Sequence, residues 1–392
     1  MIGRADYLRT LQRDVGIARS AVLHRPDSDR NPLWTLAVDI GQAEFVGRRR
    51  TGDDYSLALV GAADVNRADV FERAAGEAVE RWALKPSVLH RPRKGTVTAP
   101  RGAAWGHLGS AHRPVYPGTL RDGTATERVW VPASAVDYPA DADPSDRFDP
   151  GPSGAAAGAG VDDAIDRACR ELLERDAAMR AWLSGAPVIA VDTESIGSEA
   201  PQFRQLVQIC RRLGLDYAVG YLPAAYADIR PVMAMIVDRV RGVASAGLAL
   251  DRCDSKAAAR AMQEALQVRT VLTARAPGDR LDPPDVVGDD GDRARFWSSP
   301  AGVVAGDEWI GRVRPNTVPL STSAADLRWR DVIGLYTVVD LTPRLPSPIR
   351  EMGWAVVKAF APGLQPLRMS DTLPWSVLSE VDVRTAVPHP FI

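Results

Sequence analysis

Five stretches of the chain carry apolar side chains at helical spacing. Between residues 67 and 84 an apolar residue recurs every three or four positions, which predicts an amphipathic helix. The same spacing predicts helices over about 5–16, 162–183, 200–213 and 255–275. We expect Asp162 and Ser255 to be the N-caps of two of these helices, and Gly214 to end a third.

Short apolar runs bounded by turn residues predict strands. They lie at 33–40, 55–63, 128–136, 216–222, 231–239, 242–250, 335–342 and 354–362. The segments 86–128 and 277–330 are rich in proline, glycine and polar residues, and they are predicted to be irregular. Because no strand–helix–strand rhythm repeats, the order of elements favours an α+β fold of mixed or antiparallel sheets with helices between them.

Three of the predicted helices carry polar residues beside an apolar stripe. In two of them a pair of glutamates three positions apart is followed at once by an arginine, and in the third an arginine, a glutamate and a glutamine follow at intervals of four and three. These residues are Glu77, Glu80 and Arg81; Glu171, Glu174 and Arg175; and Arg260, Glu264 and Gln267. Residues three or four apart share a helix face, so the members of each set point in one direction.

Two interpretations of these sets are open. Glutamate and arginine at the boundary of a helix commonly form ion pairs on a solvated face, and spacing alone slightly favours that interpretation. Carboxylates that converge from three helices would instead supply hard oxygen ligands for Mg²⁺, and the neighbouring arginines suit phosphate groups. Such a site would bind a nucleoside triphosphate through helix side chains, without a glycine-rich loop.

Composition narrows the class of protein. The 392 residues carry a formal net charge of −2, so the chain lacks the excess of basic residues that is typical of nucleic-acid-binding proteins. The GRRR run at 47–50 is interpreted as a solvated turn. Three distant cysteines argue against disulfides and against a cysteine zinc site, and the motifs GxxxxGK[ST], HExxH and GxSxG are absent. The longest apolar run, at 231–237, is too short to span a bilayer, and no signal peptide is recognisable. The sequence therefore predicts a soluble, cytoplasmic protein.

The polar sets belong to longer motifs that resemble those of the YcaO family. Residues 73–81 read RAAGEAVER, 153–183 read SGAAAGAGVDDAIDRACRELLERDAAMRAWL, and 260–267 read RAMQEALQ. The segments DLT at 340–342, VVKAFAPGLQPL at 356–367 and PHPF at 388–391 agree as well. The motifs keep the family's order over about 55–392, and among its members the chain is most similar to azoline-forming cyclodehydratase subunits, the D-protein type of ribosomal peptide biosynthesis.

The resemblance implies a fold, a domain division and a reaction. A YcaO-like catalytic domain at 55–392 would follow an N-terminal extension at 1–54. Such enzymes use ATP and Mg²⁺ to phosphorylate the oxygen of a peptide amide after a nucleophile has added to the carbonyl carbon. In azoline-forming members the nucleophile is a neighbouring Cys, Ser or Thr side chain, and the product is a thiazoline or an oxazoline.

Matching the motifs residue by residue gives the cofactor site that the resemblance implies. The carboxylates expected to hold Mg²⁺ are Glu77, Glu80, Glu171, Glu174 and Glu264. The residues expected in the nucleotide pocket are Arg81, Arg175, Arg260, Gln267 and Ser153. The first motif departs from the family, because Arg73 stands where a serine is usual and Ala63 stands near the position of a lysine in some members.

The resemblance also assigns a role to the C-terminal residues. In azoline-forming relatives a proline-rich tail reaches the active site, so Pro388, His389, Pro390 and Ile392 are candidates for positioning the reaction. His389 is also a candidate proton carrier. The family's tail commonly ends in proline, whereas Ile392 ends this chain.

The expected partners follow from the same resemblance. The substrate would be a ribosomal precursor peptide, and a separate E1-like partner would bind its leader, because no leader-binding region precedes residue 55. A flavin-dependent azoline dehydrogenase is an optional further partner, a homodimer stays open, and neither nucleic acid nor a membrane is expected. Segment 277–330 is a candidate border of the substrate channel, with DRARFW at 292–297 as its anchor.

Two rival functions remain at this level. The same activation of an amide would serve thioamide or amidine formation, and a non-catalytic relative would act as a scaffold of a modification complex. The intact glutamates argue against a scaffold, and the terminal PHPF favours azolines over thioamides.

Overall fold

The structure, a computed structural model, describes most of the chain. It covers residues 2–27, 29–41, 58–100, 102–140, 146, 151–193, 200–227, 229–274, 282, 284–318, 320, 326–371 and 387–391, with the backbone alone at 314–317. The GRRR run at 47–50, the predicted domain boundary at 54/55 and the terminal Ile392 lie outside the described residues.

Strands and helices alternate in irregular order along the described chain. The strands are β1 (Ser20–His24), β2 (Trp34–Asp39), β3 (Leu59–Asp64), β4 (Arg93–Thr96), β5 (His112–Asp122), β6 (Ala125–Pro132), β7 (Ala155–Ala159), β8 (Ile189–Val191), β9 (Asp216–Tyr221), β10 (Val232–Asp238), β11 (Val243–Ala249), β12 (Arg314–Val318), β13 (Leu335–Asp340) and β14 (Trp354–Phe360). The helices are α1 (Arg4–Thr10), α2 (Arg67–Leu84), α3 (Ala133–Val136), α4 (Val161–Ser184), α5 (Pro201–Arg212), α6 (Asp254–Ala274), α7 (Asp290–Trp297), α8 (Pro300–Arg312), α9 (Trp329–Ile333) and α10 (Ser347–Glu351).

The strands form three sheets. One has the order β1-β2-β3, a second β11-β10-β9-β8-β12, and the third β4-β5-β13-β14-β7 with β6 also paired to β5. Pairing is antiparallel throughout the described sheets except between β8 and β12. The predicted α+β architecture of mixed, mainly antiparallel sheets is confirmed. No helix of the described residues has the length and apolar character needed to cross a membrane.

Each helix that carries a polar set follows an edge strand of a different sheet. Helix α2 follows β3, α4 follows β7, and α6 follows β11. Two glycines allow the close approach: a Cβ at Gly247 in β11 would overlap Ala261 of α6, and one at Gly158 in β7 would overlap Ala164 of α4. These glycines therefore fix the depth at which α4 and α6 rest against their strands.

Helix α4 takes part in two hydrophobic cores. Its first half packs Ile165 and Leu172 into the cluster that contains Val357 of the six-stranded sheet. Its second half packs Met179 and Trp182 into the cluster of the five-stranded sheet. Full burial of a Leu or Met side chain contributes roughly 1.5–3 kcal/mol, so α4 is held firmly along its whole length.

The prediction of irregular structure was wrong for two segments. Segment 86–128 contains β4, β5 and the start of β6, and segment 277–330 contains α7, α8 and β12. In β5, Pro114 and Pro117 weaken the local strand signal, but pairing with β4, β6 and β13 imposes the extended conformation. In 277–330, the side chains of Asp289 and Ser299 accept backbone N–H bonds and cap α7 and α8.

Helix ends agree less well with prediction than helix positions. Helices α2 and α5 lie within a residue of the predicted bounds, whereas α1 ends at Thr10. The N-cap of α4 is Gly160, with φ 94°, and Asp162 lies in the first turn instead of capping it. Helix α6 begins at Asp254, so Ser255 is inside the helix.

The predicted N-terminal extension is joined to the rest of the chain. Its strands β1 and β2 form one antiparallel sheet with β3. Arg269 of α6 adds side-chain bonds to the carbonyls of Asp29 and Arg30, at 3.2 and 3.3 Å. The boundary between extension and catalytic domain stays a prediction.

Candidate active site

The glutamates of α2 and α4 share one electrostatic environment. Burial, reinforced by the negative charges of Glu77 and Glu171, raises the pKa of Glu80 well above its usual value. The two neighbours come from different helices, so the first two motifs meet in space. All three side chains are only half-buried, which leaves the carboxylates accessible.

The glutamates of α4 and α6 meet at the edge strand β11. One oxygen of Glu174 accepts the N–H of Leu250 at 2.7 Å, and one oxygen of Glu264 accepts the N–H of Leu248 at 3.1 Å. Burial raises the pKa of Glu174 to about 7, although the charges of Arg170 and Arg260 oppose the rise. The pKa of Glu264 is also raised, and burial is again the main cause. The edge of β11 thus aligns two carboxylates from different helices.

Arginines provide the counter-charges of this cluster. The Nε of Arg81 donates to Glu77 at 2.9 Å, and the Nε of Arg175 donates to Glu171 at 2.8 Å. Burial opposes ionisation of Arg175, but the charges of Glu171 and Glu174 outweigh it and raise its pKa. We call Glu77, Glu80, Glu171, Glu174 and Glu264, together with Arg81 and Arg175, the carboxylate cluster.

The donor set fits Mg²⁺, although it is not closed around a cation. Within the described ranges, no three acidic, histidine or cysteine side chains are gathered closely enough to hold a metal ion. Arg81 and Arg175 each engage one carboxylate oxygen, Oε1 of Glu77 and Oε1 of Glu171. Glu80 supplies the positive observation: it is a carboxylate pressed against like charges, and a divalent cation would remove that repulsion.

Three predicted nucleotide residues are committed to other partners. The amide of Gln267 bonds the carbonyl of Gly61 and the N–H of Ala63, both at 3.1 Å, and so covers the edge of β3. Arg260 reaches Asp251 at 3.4 Å. The hydroxyl of Ser153 accepts the N–H of Leu367 at 3.3 Å. Their nucleotide roles stay predictions.

Several charged residues near the cluster were missed by the sequence analysis. Burial lowers the pKa of Lys358 to about 7, and the negative charges of Asp137, Glu171 and Glu80 oppose the fall. Its Nζ donates to the carbonyls of Val136 and Gly151, at 3.2 and 2.8 Å. Lys358 stands in the quoted segment VVKAFAPGLQPL, which was the signal that could have drawn attention to it.

Asp290 is a further carboxylate that the helix motifs did not indicate. Burial raises its pKa, and the charges of Arg293, Arg81 and Arg175 oppose the rise. It therefore lies within electrostatic range of arginines from both α2 and α4. No periodic pattern marks the segment VVGDDGDR that contains it, so nothing local could have revealed this proximity.

The C-terminal segment 387–391 is seated in the protein instead of forming an exposed polar tail. His389 is 3% exposed, and its Nε2 lies 2.6 Å from the carbonyl oxygen of Arg368, so this nitrogen carries the proton. Burial, followed by the positive charge of Arg293, lowers its pKa well below the usual range. Its Nδ1 has no hydrogen-bond partner among the described residues. A neutral ring of this kind suits positioning better than proton carrying.

The prolines beside His389 are placed with it. Pro388 is half-buried and Pro390 is buried, while Phe391 stacks on the imidazole with ring centroids 5.7 Å apart. The charge of Arg175 also lowers the His389 pKa, so the segment lies within electrostatic range of the carboxylate cluster. Ile392 lies outside the described residues.

The chain matches a protein family and several solved structures. The family model described as YcaO cyclodehydratase, ATP- and Mg²⁺-binding, matches residues 66–365. The fold is similar to a heterocyclase in complex with substrate and cofactor, with a TM-score of 0.72 and 18% identity over 99% of this chain and 57% of that chain. It is also similar to YcaO from Methanopyrus kandleri bound with AMPPCP and Mg²⁺, with a TM-score of 0.63 and 18% identity over 99% of this chain and 94% of that chain. A chain of the E. coli microcin synthetase McbBCD complex is similar as well, with a TM-score of 0.60 and 15% identity over 88% of this chain and 88% of that chain.

The family model describes proteins that bind ATP and Mg²⁺. The chain belongs to the YcaO family. It corresponds to 57% of the length of the heterocyclase chain, so activities of that whole protein do not transfer directly. A search of curated protein sequences gives no match.

Proposed function

We propose that this protein is an ATP-dependent cyclodehydratase that converts Cys, Ser or Thr residues of a ribosomally made precursor peptide into thiazolines or oxazolines. The observation that carries the proposal is the carboxylate cluster, in which glutamates and arginines from three helices share one electrostatic environment. The first interpretation of these sets, as solvated ion pairs, does not account for half-buried carboxylates with raised pKa values.

The residues of the cluster divide the work by their chemistry. When bound, ATP supplies the phosphoryl group for the amide oxygen, and Mg²⁺ neutralises the charge of the phosphates. Glu77, Glu80 and Glu171 would hold metal beside the α2–α4 contact, while Glu174 and Glu264 would do so along β11. Arg81 and Arg175 would turn from their glutamates to phosphate oxygens, for which a planar guanidinium is well suited.

The substrate amide needs orientation more than strong acid–base catalysis. Addition of a side-chain nucleophile to the carbonyl, followed by departure of the amide oxygen as phosphate, removes one water from the peptide and leaves one ring. The seated segment 387–391 would help to align the reacting groups and exclude water. The unpartnered Nδ1 of neutral His389 offers a hydrogen-bond acceptor for this purpose.

Partners and location form part of the same proposal. A separate E1-like protein would bind the leader of the precursor peptide, and a flavin-dependent dehydrogenase would act on the azoline product where an aromatic ring is made. Antibiotic-type peptide products fit this chemistry. Use of ATP and the three buried free cysteines, Cys169, Cys210 and Cys253, support work in the cytoplasm.

The test is to weigh the peptide. The protein is incubated with ATP, Mg²⁺, the precursor peptide encoded beside its gene and the candidate leader-binding partner. Loss of one water per modified residue is the expected result, whereas replacement of oxygen by sulfur would establish thioamide formation instead. An unchanged peptide without ATP consumption, in the presence of the correct partner, would favour a scaffold role.

A pair of variants separates chemistry from folding. Glu171→Gln should abolish ring formation because it removes a carboxylate from the cluster, with the circular dichroism spectrum unchanged. Glu308→Gln is the matched control, since Glu308 is an exposed partner of Arg312 on α8 and should keep wild-type activity. Full turnover by Glu171→Gln would remove the metal role assigned to the cluster.

A further inference from the structure

One face of α7 carries two buried residues that form hydrogen bonds beyond their own helix. Asp290, Arg293 and Trp297 stand at intervals of three and four, so they share a face of the helix. Arg293 and Trp297 are fully buried, whereas Arg295 on another face pairs locally with Asp292 and is partly exposed. Arg295 can therefore serve as a control for substitutions of Arg293 and Trp297 on the same helix.

The buried pair holds the C-terminal segment by its backbone. Arg293 Nη1 and Trp297 Nε1 both donate to the carbonyl of His389, at 3.2 and 3.1 Å. Arg293 Nη2 donates to the carbonyls of Arg368 and Met369, at 3.0 and 3.3 Å. These bonds tie segment 387–391 to the segment around Arg368. The carbonyl of Arg368 also accepts the N–H of the His389 ring.

A second indole holds the start of the same segment. Trp182 Nε1 of α4 donates to the carbonyl of Val387 at 2.9 Å, and the rings of Trp182 and Trp297 meet edge to face with centroids 5.8 Å apart. Helix α4 therefore contributes both to the carboxylate cluster and to the seat of the C-terminal segment. Because the helix is rigid, the two positions keep a fixed separation.

We propose that this face of α7 is a latch that seats residues 387–391 beside the carboxylate cluster, with Arg293 and Trp297 as positioning residues. Asp290, one turn before Arg293, lies within electrostatic range of Arg81 and Arg175 of the cluster. The assignment of chemistry to the seated segment rests on the proposed function, but the seating itself is measurable without turnover.

The physical reason for a strong latch is the cost of a buried guanidinium. A buried cation that loses its acceptors is heavily destabilised, so Arg293 favours the conformation in which the His389 carbonyl stays in place. An indole N–H removed from its acceptor adds a smaller penalty. Release of the segment therefore requires the loss of charged and neutral hydrogen bonds together.

The first experiment measures release of the C-terminus by carboxypeptidase Y, followed by intact mass of the full-length protein. When opening and closing are faster than cleavage, the rate reports the population of the open state. We expect Arg293→Gln to speed removal of the last two residues on the order of 10- to 100-fold, and Trp297→Phe about 3- to 10-fold. Arg293→Lys should restore part of the protection, since it keeps the charge but not the fork.

Arg295→Gln is the matched control on the same helix. Its removal leaves the buried face intact, so cleavage should stay at the wild-type rate. Equal acceleration by Arg295→Gln and Arg293→Gln would mean general loosening of α7, and no acceleration by Arg293→Gln would mean that no latch exists. Either outcome overturns the proposal.

The second experiment tests positioning through the stoichiometry of the reaction. In Arg293→Gln we expect ATP hydrolysed per ring formed to rise at least threefold, with the KM for ATP within about threefold of wild type. If Arg293 had a merely structural role, the rates of ATP hydrolysis and of ring formation would fall together. An unchanged ratio of ATP hydrolysed to rings formed would therefore overturn the positioning role. If wild-type protein forms no ring, the proposed function fails while the cleavage result still decides the latch.

Asp290→Asn tests the connection to the cluster. It should change the KM for ATP more than threefold, because Arg81 and Arg175 lose a counter-charge, and it should also speed C-terminal cleavage. If either quantity stays at the wild-type value, Asp290 is not part of the link.

Discussion

Two regions of the molecule bury charge in opposite ways. At Arg269 the guanidinium is fully buried, and its Nε and Nη2 donate to Asp238 at 2.9 and 2.6 Å. Its Nη1 donates to the carbonyl of Arg30, and its Nη2 also donates to the carbonyl of Asp29. At Glu80 a carboxylate lies beside Glu77 and Glu171, and its pKa is raised by burial and by their repulsion. Every nitrogen of Arg269 has an acceptor, whereas the charges of Arg81 and Arg175 offset only part of the repulsion at Glu80.

The difference separates a structural role from a binding role. A satisfied buried ion pair gains nothing from a ligand, because every donor already has an acceptor. A cluster of like charge is destabilising in the free protein, and a cation that joins it returns that free energy as binding. Changes at Arg269 should therefore cost stability and spare activity, and changes at Glu80 should do the reverse.

The largest expected effect is at Glu80. Glu80→Gln should lower kcat/KM by at least about 10³-fold, since a metal ligand and its charge are lost together. The same variant should be more stable than wild type without nucleotide, by about 1 kcal/mol, because the repulsion at the α2–α4 contact is removed. Activity assays and urea unfolding in metal-free buffer provide the two measurements.

A loss of both activity and stability in Glu80→Gln would break the comparison. It would mean that the carboxylate stabilises the free protein, as a structural ion pair does. Glu308→Gln, at an exposed position of α8, is the control for a Glu-to-Gln change and should change neither quantity.

The next effect is on stability alone. Arg269→Met should destabilise the protein by about 3–5 kcal/mol, because it leaves Asp238 buried at the end of β10 without its main counter-charge. Activity per folded molecule should remain near wild type. Urea unfolding measures the first quantity and active-site-normalised turnover the second, with the exposed Arg312→Met as control.

The same contrast explains what could be predicted from the sequence. The polar sets on α2, α4 and α6 lie within about two turns each, so local spacing reveals them, and helices α2 and α5 are confirmed almost to the residue. Glu171, which helps to raise the Glu80 pKa, and the carbonyls that hold Arg269 and Arg293 come from segments distant in sequence. No local pattern specifies such partners, so their roles had to wait for the fold.

Strand β5 shows the other limit of local signals. Pro114, Pro117 and Gly118 argue against a strand, yet three neighbouring strands supply the hydrogen bonds that hold the segment extended. The C-terminal segment behaves in the same way, because the donors that hold it are buried side chains on α4 and α7, far away in sequence.

A smaller effect concerns the order in which cofactors bind. Because Arg81 and Arg175 hold Glu77 and Glu171 in the free protein, Mg²⁺ alone should stabilise it by less than about 0.5 kcal/mol. AMPPCP with Mg²⁺ at 100 times the dissociation constant should add about 2.7 kcal/mol, since phosphate then replaces the glutamates as partner of the arginines. Thermal unfolding with each addition measures this, and strong stabilisation by Mg²⁺ alone would show that the carboxylates are already free to bind.

The smallest effect is the pH dependence that Glu174 imposes. Burial raises its pKa from 4.5 to about 7, so the folded protein binds a proton that the unfolded chain has released. This contribution to stability is complete below pH 4.5 and is lost as pH rises through 7. Since the side chain is half-exposed, we expect a loss of only about 1–2 kcal/mol between pH 5 and 8 in metal-free buffer. Urea unfolding at a series of pH values measures this loss, which Glu174→Gln should remove and the control Glu308→Gln should keep. If wild type and both variants lose the same free energy of unfolding between pH 5 and 8, Glu174 is a satisfied buried charge like Arg269.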